Sequence, residues 1–541
     1  MNREKLFSGK TENIELFSLL RRKKLALRPN ALTLAAMNTD NKLRLDTMKY
    51  YILVFAFLLC FYPSWSQKKI QTTSLTPKLD SVLNQAYKVF ELPGYAIGII
   101  KSNKIIYAEG FGVKEMGKQS PIDSKSLFHM ASVSKPFTAT AIMQLVDKGK
   151  IQLDSPLTDY IPYFKMKDDR YKKITIKQML THTSGFPDVQ NYHWDKPEFD
   201  DKALERYVKD SISTYELLFE PGTEFYYSNM AYDVLADVIS KVSEMPFEAY
   251  MDKYIFKPCG MNNSTFLLKR VQSGNATSPH IFGDKCTFQV SPVYPYNRCH
   301  AASSTLHSNV EDMMKWAGMI LNNGHVDGKQ IISKESLKMM LSVQYKFDDE
   351  SSMGYGWFND TRNGKKIINH GGSDIGYQTY IGIIPQDSVA IVVMSNLFSF
   401  VPDGAITNLA LNTIYNEPIW KLSKPINLAI GPMICKNGFA KAREKYFELK
   451  KNNAVDYDFS EEWLDKLGYA LKDLGKLDDA INVLKLNAEA YPGSVNCFDS
   501  LGELYTLNGQ LDKAKESYRA ALKLDPNCER CFRKLKKIEQ P

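Results

Sequence analysis

Histidine is scarce in this chain of 541 residues. There are eight, at His129, His182, His193, His280, His300, His307, His325 and His370, with no HExxH and no tight cluster. A catalytic zinc hydrolase needs such ligand spacing, so metal chemistry is not expected. Cysteine offers no alternative. Cys528-Glu529-Arg530-Cys531 is a lone CxxC without a second pair or an adjacent histidine, and a structural zinc needs four ligands. The reading is two thiols on a helix, with Cys528 exposed. Long apolar runs are missing too: the longest, Tyr51 to Tyr62, falls short of the ~20 residues that span a bilayer. Evenly spread positive charge is also lacking. Residues 1–47 hold ten Lys/Arg against five Asp/Glu, most of the net +8, so no nucleic-acid partner is expected.

What is present is a folded globular composition, 44% hydrophobic and 24% charged, with a length that suggests roughly two to four units. Met48-Lys49, the apolar run and Pro63-Ser64-Trp65-Ser66-Gln67 have the order of a signal peptide with small residues before a cut after Ser66. Met48 is therefore read as the start. Residues 1–47 become an untranslated upstream extension, 48–66 the signal peptide, and the mature protein periplasmic or extracellular. Membrane attachment arises only if this segment stays uncleaved. Exported chains can form disulfides. Among Cys60, Cys259, Cys286, Cys299, Cys435, Cys497, Cys528 and Cys531, the best pair by local placement is Cys286 with Cys299.

Alternating apolar residues in 94–112 predict a hairpin turning at Ser102-Asn103, and helical spacing follows from Ser132 to Lys148. The stretch 150–340 reads as mixed helix and loop. Strands return at 354–358, 366–370, 377–384 and 389–395, with an Asn363-Gly364 hairpin signal. Strands at both ends of a helical insert imply an antiparallel α+β sheet whose first and last strands meet. After Gly438 strands vanish and a 34-residue period appears. Leu467-Gly468 matches Leu501-Gly502, Gly475 matches Gly509, Ala480 matches Ala514, and Pro492 matches Pro526.

Three short stretches carry chemistry. Ser132-Val133-Ser134-Lys135 puts a hydroxyl and an amine one helical turn apart at a helix start. A serine is a weak nucleophile until a base takes its proton, and a buried lysine can be that base. Tyr227-Ser228-Asn229 follows a Pro-Gly turn and offers a proton relay and an amide. His370-Gly371-Gly372-Ser373 ends a strand, where glycines let a substrate lie along the edge and His370 supplies a positive or hydrogen-bonding group. Taken singly, each also reads as a helix cap, a turn tyrosine or a surface histidine. No GxSxG surrounds Ser132, so an α/β-hydrolase nucleophile elbow is not expected.

Together, in this order and spacing, the three stretches resemble the motifs of the penicillin-recognising serine hydrolases. That family includes class C β-lactamases, DD-peptidases, D-amino-acid peptidases and related esterases. Leu180-Thr181-His182-Thr183-Ser184-Gly185, Tyr254 to Met261 and Gly354-Tyr355-Gly356-Trp357 are similar as well, so the likeness covers about 80–415. It implies a β-lactamase/transpeptidase-like fold with Ser132, Lys135 and Tyr227 catalytic, either Lys135 or Tyr227 being the base. Asn229, His370, Gly371, Gly372 and Ser373 would bind substrate, with the N–H groups of Ser132 and Ser373 as oxyanion hole. The third motif reads His-Gly-Gly where class C β-lactamases have Lys-Thr-Gly, which argues against efficient β-lactam hydrolysis. The implied activity is that of an exported hydrolase of peptides (D-amino-acid) or esters, without cofactor or metal. The competing reading is a degenerate binding module.

The 34-residue period resembles tetratricopeptide repeats, with repeats at 461–494 and 495–528, a preceding helix at 439–450 and a capping helix at 529–540. Such arrays imply a protein partner and contact mostly their own neighbours. The expected division is therefore a hydrolase at 67–425 that works alone and an all-α repeat domain at 439–541.

Overall fold

A computed structural model describes residues 75–271, 274–398 and 404–539. The signal-peptide reading and the upstream extension lie outside the described residues. The centre of the molecule is an antiparallel sheet of eight strands. In chain order they are β1 (Gly94–Lys101), β2 (Lys104–Gly112), β3 (Tyr345–Lys346), β4 (Ser352–Met353), β5 (Phe358–Arg362), β6 (Lys365–Asp374), β7 (Tyr377–Ile384) and β8 (Val389–Ser395). In space they run β2-β1-β8-β7-β6-β5-β4-β3. The first and last long strands do meet, Tyr95 opposite Ser395 and Lys101 opposite Val389. Both hairpins turn on paired left-handed residues, Ser102-Asn103 and Asn363-Gly364, a geometry that matches the strands' own twist.

Strand residues alternate between faces, and here each face owns a core. Ala390, Val392 and Met394 of β8 point into the first, with α2 (Ser134–Asp147), α3 (Asn229–Ser243) and α5 (Val310–Leu321). A short helix, α4 (Ala301–Ser304), sits among these. Helix α5 lies so close to β1 that a Cβ on Gly98 would meet Val310 at 2.6 Å. Val389, Ile391 and Val393 point into the second core. It is covered by α1 (Thr76–Val89) and α6 (Ala405–Tyr415), and then by α7 (Ile426–Asn437) and the helices beyond it.

Those further helices are α8 (Phe439–Asn452), α9 (Glu461–Asp473), α10 (Leu477–Ala490), α11 (Val495–Leu507), α12 (Leu511–Leu524) and α13 (Glu529–Glu539). The period has a steric cause that recurs in both repeats. A Cβ on Gly468 would lie 2.6 Å from Leu484, and one on Gly502 2.7 Å from Tyr518. Gly475 and Gly509 take the left-handed turn that follows each first helix.

Two expectations need correction, and the repeats also share a buried core with the sheet. Tyr446, Trp463, Leu464 and Leu467 are buried in the same core as Ile97 and Ile391, because α7 bridges the two and packs Gly431 against Phe282 and Leu467. Cys286 bonds Cys435 on α7, while Cys299 is free and buried. The two partners are 149 residues apart, so local placement could not reveal them. Cys528 is also buried, at 8% exposure, and bonded to Cys531.

Candidate active site

Ser132 lies in a single turn of 3-10 helix, Ala131–Val133, that leads directly into α2. Ala131 holds a left-handed φ of 49°, a conformation that costs about 1–3 kcal/mol for a residue with a side chain. The strain turns Ser132 out of the core and leaves it half-buried. One turn on, Lys135 is fully buried. Its Nζ is 3.0 Å from Ser132 Oγ, 2.5 Å from Asn229 Oδ1 and 2.9 Å from the Ser303 carbonyl on α4. A neutral amine has two N–H donors and one lone pair. Asn229 and Ser303 accept the two donors, which leaves the lone pair for the Ser132 hydroxyl. Burial lowers the Lys135 pKa to about 8, against the pull of Asp233, Asp188 and Asp374.

Tyr227 stands beside this pair, its ring centroid 4.9 Å from Lys135 Nζ. Burial raises its pKa well above the ordinary phenol value, partly offset by a hydrogen bond with Ser132. Tyr227 is therefore a neutral hydroxyl at any physiological pH. His182 stacks on its ring at 4.3 Å and accepts the Ser228 N–H through Nδ1. The helix-capping role in this stretch falls to Ser228, whose side chain accepts from Ala231 N–H at the start of α3. Asn229 is thereby free for other work, and all of it is internal. Its carbonyl oxygen takes Lys135, and its amide nitrogen faces both oxygens of Asp188 at 3.1 and 3.3 Å.

The third stretch lies within a strand, because β6 continues to Asp374. Gly372 is where β6 touches the Ser132 turn: a Cβ there would sit 2.3 Å from the Met130 carbonyl and 3.1 Å from Ser132 N. Only glycine fits. His370 cannot supply positive charge, since burial and Lys135 lower its pKa to about 3. It is a neutral imidazole whose Nδ1 lies 2.6 Å from the Gly371 carbonyl.

Ser132, Tyr227, Asn229, His370, Gly371, Gly372 and Ser373 line one cleft of about 790 Å³, with Lys135 beneath it. All the sequence-predicted site residues thus converge. Missed at the sequence level were Asp188, Ser303 and Lys466, the last a repeat-helix residue that also lines the cleft. Asp233 had a legible signal, one helical turn from Asn229, and it contacts His300 at 2.7 Å. Among the described residues, no group of His, Cys, Asp and Glu is arranged to hold a metal ion.

Comparison with known proteins places this arrangement. A family model described as Beta-lactamase matches residues 81–414, and one described as Tetratricopeptide repeat matches 495–528. Protein flp of Staphylococcus aureus (strain MW2) is 28% identical over 342 residues, 61% of this chain. Penicillin-binding protein 4* of Bacillus subtilis (strain 168) is 28% identical over 58% of this chain and 70% of its own. The chain spans about 65% of the length of the flp relatives. Among solved structures, the octameric penicillin-binding protein homologue from Pyrococcus abyssi superposes with a TM-score of 0.57 at 28% identity, covering 63% of this chain and 78% of that one. EstCE1, a hydrolase with promiscuous acyltransferase activity, shares the fold with a TM-score of 0.52 at 20% identity, covering 63% of this chain and 98% of its own.

Proposed function

The chain belongs to the Beta-lactamase family over residues 81–414, and on that footing we propose that it is an exported serine hydrolase working through an acyl-enzyme on Ser132. The observation that carries this is the buried Lys135 amine 3.0 Å from Ser132 Oγ. Lys135 takes the serine proton as Oγ attacks the substrate carbonyl. The oxyanion of the tetrahedral intermediate rests on the backbone N–H groups of Ser132 and Ser373. Collapse expels an amine or alcohol, which receives a proton through Tyr227, and water then releases the acyl group. Lys135 rather than Tyr227 is the base. Its pKa of about 8 lies near the working range, whereas burial holds the Tyr227 phenol far above it. Asn229 and Ser303 aim the lysine.

The substrate class is a peptide of D-amino-acid type or an ester, and the neutral His370 favours these over a β-lactam. Export after Ser66 is supported by two disulfides, which persist in oxidising compartments. The hydrolase unit is assigned to 67–425 and the repeats to 439–541, the latter offering a surface to a protein partner.

The test is covalent. A fluorophosphonate should label the full chain once, at Ser132, and Ser132→Ala should abolish labelling. Turnover on a panel of p-nitrophenyl esters, D-amino-acid amides and nitrocefin then ranks the substrate classes. Failure of every acylating probe to label the protein would leave a binding module instead.

A further inference from the structure

Three stretches that each carry a working group of the site are tied together at one carboxylate. Asp374 is the last residue of β6, directly after Ser373, and stands opposite Tyr377 across the short turn into β7. Its Oδ2 lies 2.7 Å from His129 Nε2 and accepts a hydrogen bond from the Ser304 hydroxyl. His129 belongs to the short strand Phe128–His129, which leads into the Ser132 turn. Ser304 closes α4, directly after Ser303, whose carbonyl takes Lys135.

The clamp is held firmly for local reasons. The His129 ring is fully buried, with His307, Tyr377 and Tyr294 at ring distances of 5.4, 5.6 and 6.5 Å, so it has little room to turn. The Asp374 side chain is only 9% exposed. The strand that carries His129 is anchored in turn: it pairs with His307–Ser308, and the next N–H, that of Met130, donates to the Leu306 carbonyl at 2.7 Å. A buried pair such as His129 with Asp374 contributes little to stability, because desolvation consumes most of its attraction. What it does is join segments 70 to 245 positions apart in the chain. The working groups next to the clamp sit on those segments, and they must agree to within about 0.5 Å to act together.

We propose that Asp374 is a positioning residue for acyl transfer: bonded by His129 and Ser304, its carboxylate holds the Ser373 N–H, the Ser303 carbonyl and the Ser132 turn in one register. This rests on the acyl-enzyme reading of Ser132. Asp374 acts through the oxyanion donor beside it on β6 and, by way of α4, through the aim of Lys135. Its loss should therefore slow the chemical step and leave ground-state binding as it was.

The experiment measures fluorophosphonate labelling of Ser132 in the full chain over a range of probe concentrations, which separates the saturating rate from the half-saturating concentration. In Asp374→Ala the saturating rate should fall about 10²-fold, the cost of a small misplacement of reacting groups, with the half-saturating concentration unchanged. Asp374→Asn keeps an acceptor oxygen for His129 and Ser304 and should recover part of the loss. Ser304→Ala removes one bond to the carboxylate and should slow labelling about tenfold. It should add little in the Asp374→Ala background, because both changes cut the same contact. Circular dichroism and thermal unfolding establish which variants fold, and if Asp374→Ala does not, Asp374→Asn and Ser304→Ala decide. Folded variants that label at the wild-type saturating rate, or whose only change is a weaker half-saturation, overturn the proposal. A Ser304→Ala effect that persists in full beside Asp374→Ala overturns it as well. A wild-type protein that no fluorophosphonate labels overturns the acyl-enzyme reading, and this proposal with it.

Discussion

The two faces of the sheet are built on different principles. The face toward α2 and α3 buries ionisable groups: Lys135, Asp233 and His300, all at most 1% exposed, and His129 against Asp374 at 2.7 Å. Burial lowers the pKa of His300, but Asp233 more than offsets it and carries the value up to about 10, while burial raises that of Asp233. Buried pairs of this kind are poor investments in stability, because desolvation consumes most of the attraction. The opposite face buries mainly apolar side chains away from the cleft, with Trp463, Tyr446, Leu467 and Ile391 in one core. The contrast teaches that the left-handed Ala131 and the buried amine of Lys135 sit on the face with the ionisable groups, while the other face packs the same strands with mainly apolar side chains.

The comparison breaks most visibly if the repeats are removed. Separability is the expectation from the 34-residue period, and the core shared between the repeats and the sheet is the reason to test it. A 67–425 fragment would expose the part of that core that α7, α8 and α9 bury. Each large apolar side chain lost from that core forfeits about 1.5–3 kcal/mol, and a whole domain has only about 5–15 kcal/mol to lose. The expected outcome is a fragment without a cooperative thermal transition by circular dichroism. A folded, fully active fragment would show that the outer face is self-sufficient.

On the catalytic face the largest single effect should come from Lys135→Ala. Loss of the base should slow acylation by about 10²–10⁴-fold, read as the labelling rate at Ser132 in a protein whose circular dichroism is unchanged. The sign of the pH dependence follows from the lowered pKa. The neutral, proton-accepting amine gains population as pH rises through about 8, so wild-type kcat/KM should climb to a plateau above that value. A profile flat from pH 6 to 9 would remove Lys135 from the role of base.

Gly372→Ala probes the contact between β6 and the nucleophile turn. The added methyl would collide with the Met130 carbonyl and press on Ser132 N. Displacing one oxyanion donor costs about 10²–10³-fold, so acylation should fall by that order while the strand stays paired. An alanine variant that acylates at the wild-type rate would place the oxyanion elsewhere.

These predictions also mark what could be read from residues alone. The motifs, their convergence and the antiparallel sheet were legible because each rests on local spacing or on alternation within one strand. Asn229 was expected to meet substrate and lines the cleft, but its partners Lys135 and Asp188, 94 and 41 positions away, were not readable. His370 was offered as a positive or hydrogen-bonding group, and burial, which no single-sequence pattern reports, leaves the hydrogen-bonding role. Cys435 and Lys466 lay beyond the boundary that the change from strands to helices suggested. Periodicity identified the repeat correctly and said nothing about the surface it rests on.

The smallest expected effect sharpens the comparison within the repeats themselves. Gly468 and Gly502 occupy equivalent positions 34 residues apart, and each is kept small by one side chain of the following helix. Overpacking by a methyl should cost about 1–3 kcal/mol at either. Their neighbourhoods differ, however. The helix of Gly468 supplies Trp463 and Leu467 to the core shared with the sheet, whereas α11, which carries Gly502, joins that core through Leu501, Leu504 and Tyr505 one repeat farther out. If the chain from α1 to α13 unfolds as one cooperative unit, Gly468→Ala and Gly502→Ala should each lower a single melting transition by similar amounts, with esterase turnover intact below it. If the outer repeat is only loosely coupled, as nearest-neighbour arrays allow, Gly502→Ala should instead split off an early transition that leaves the main one in place. Differential scanning calorimetry separates the two. One shifted peak in both variants would extend the shared core's cooperativity to the end of the chain, and two peaks in Gly502→Ala alone would set its boundary between α10 and α11.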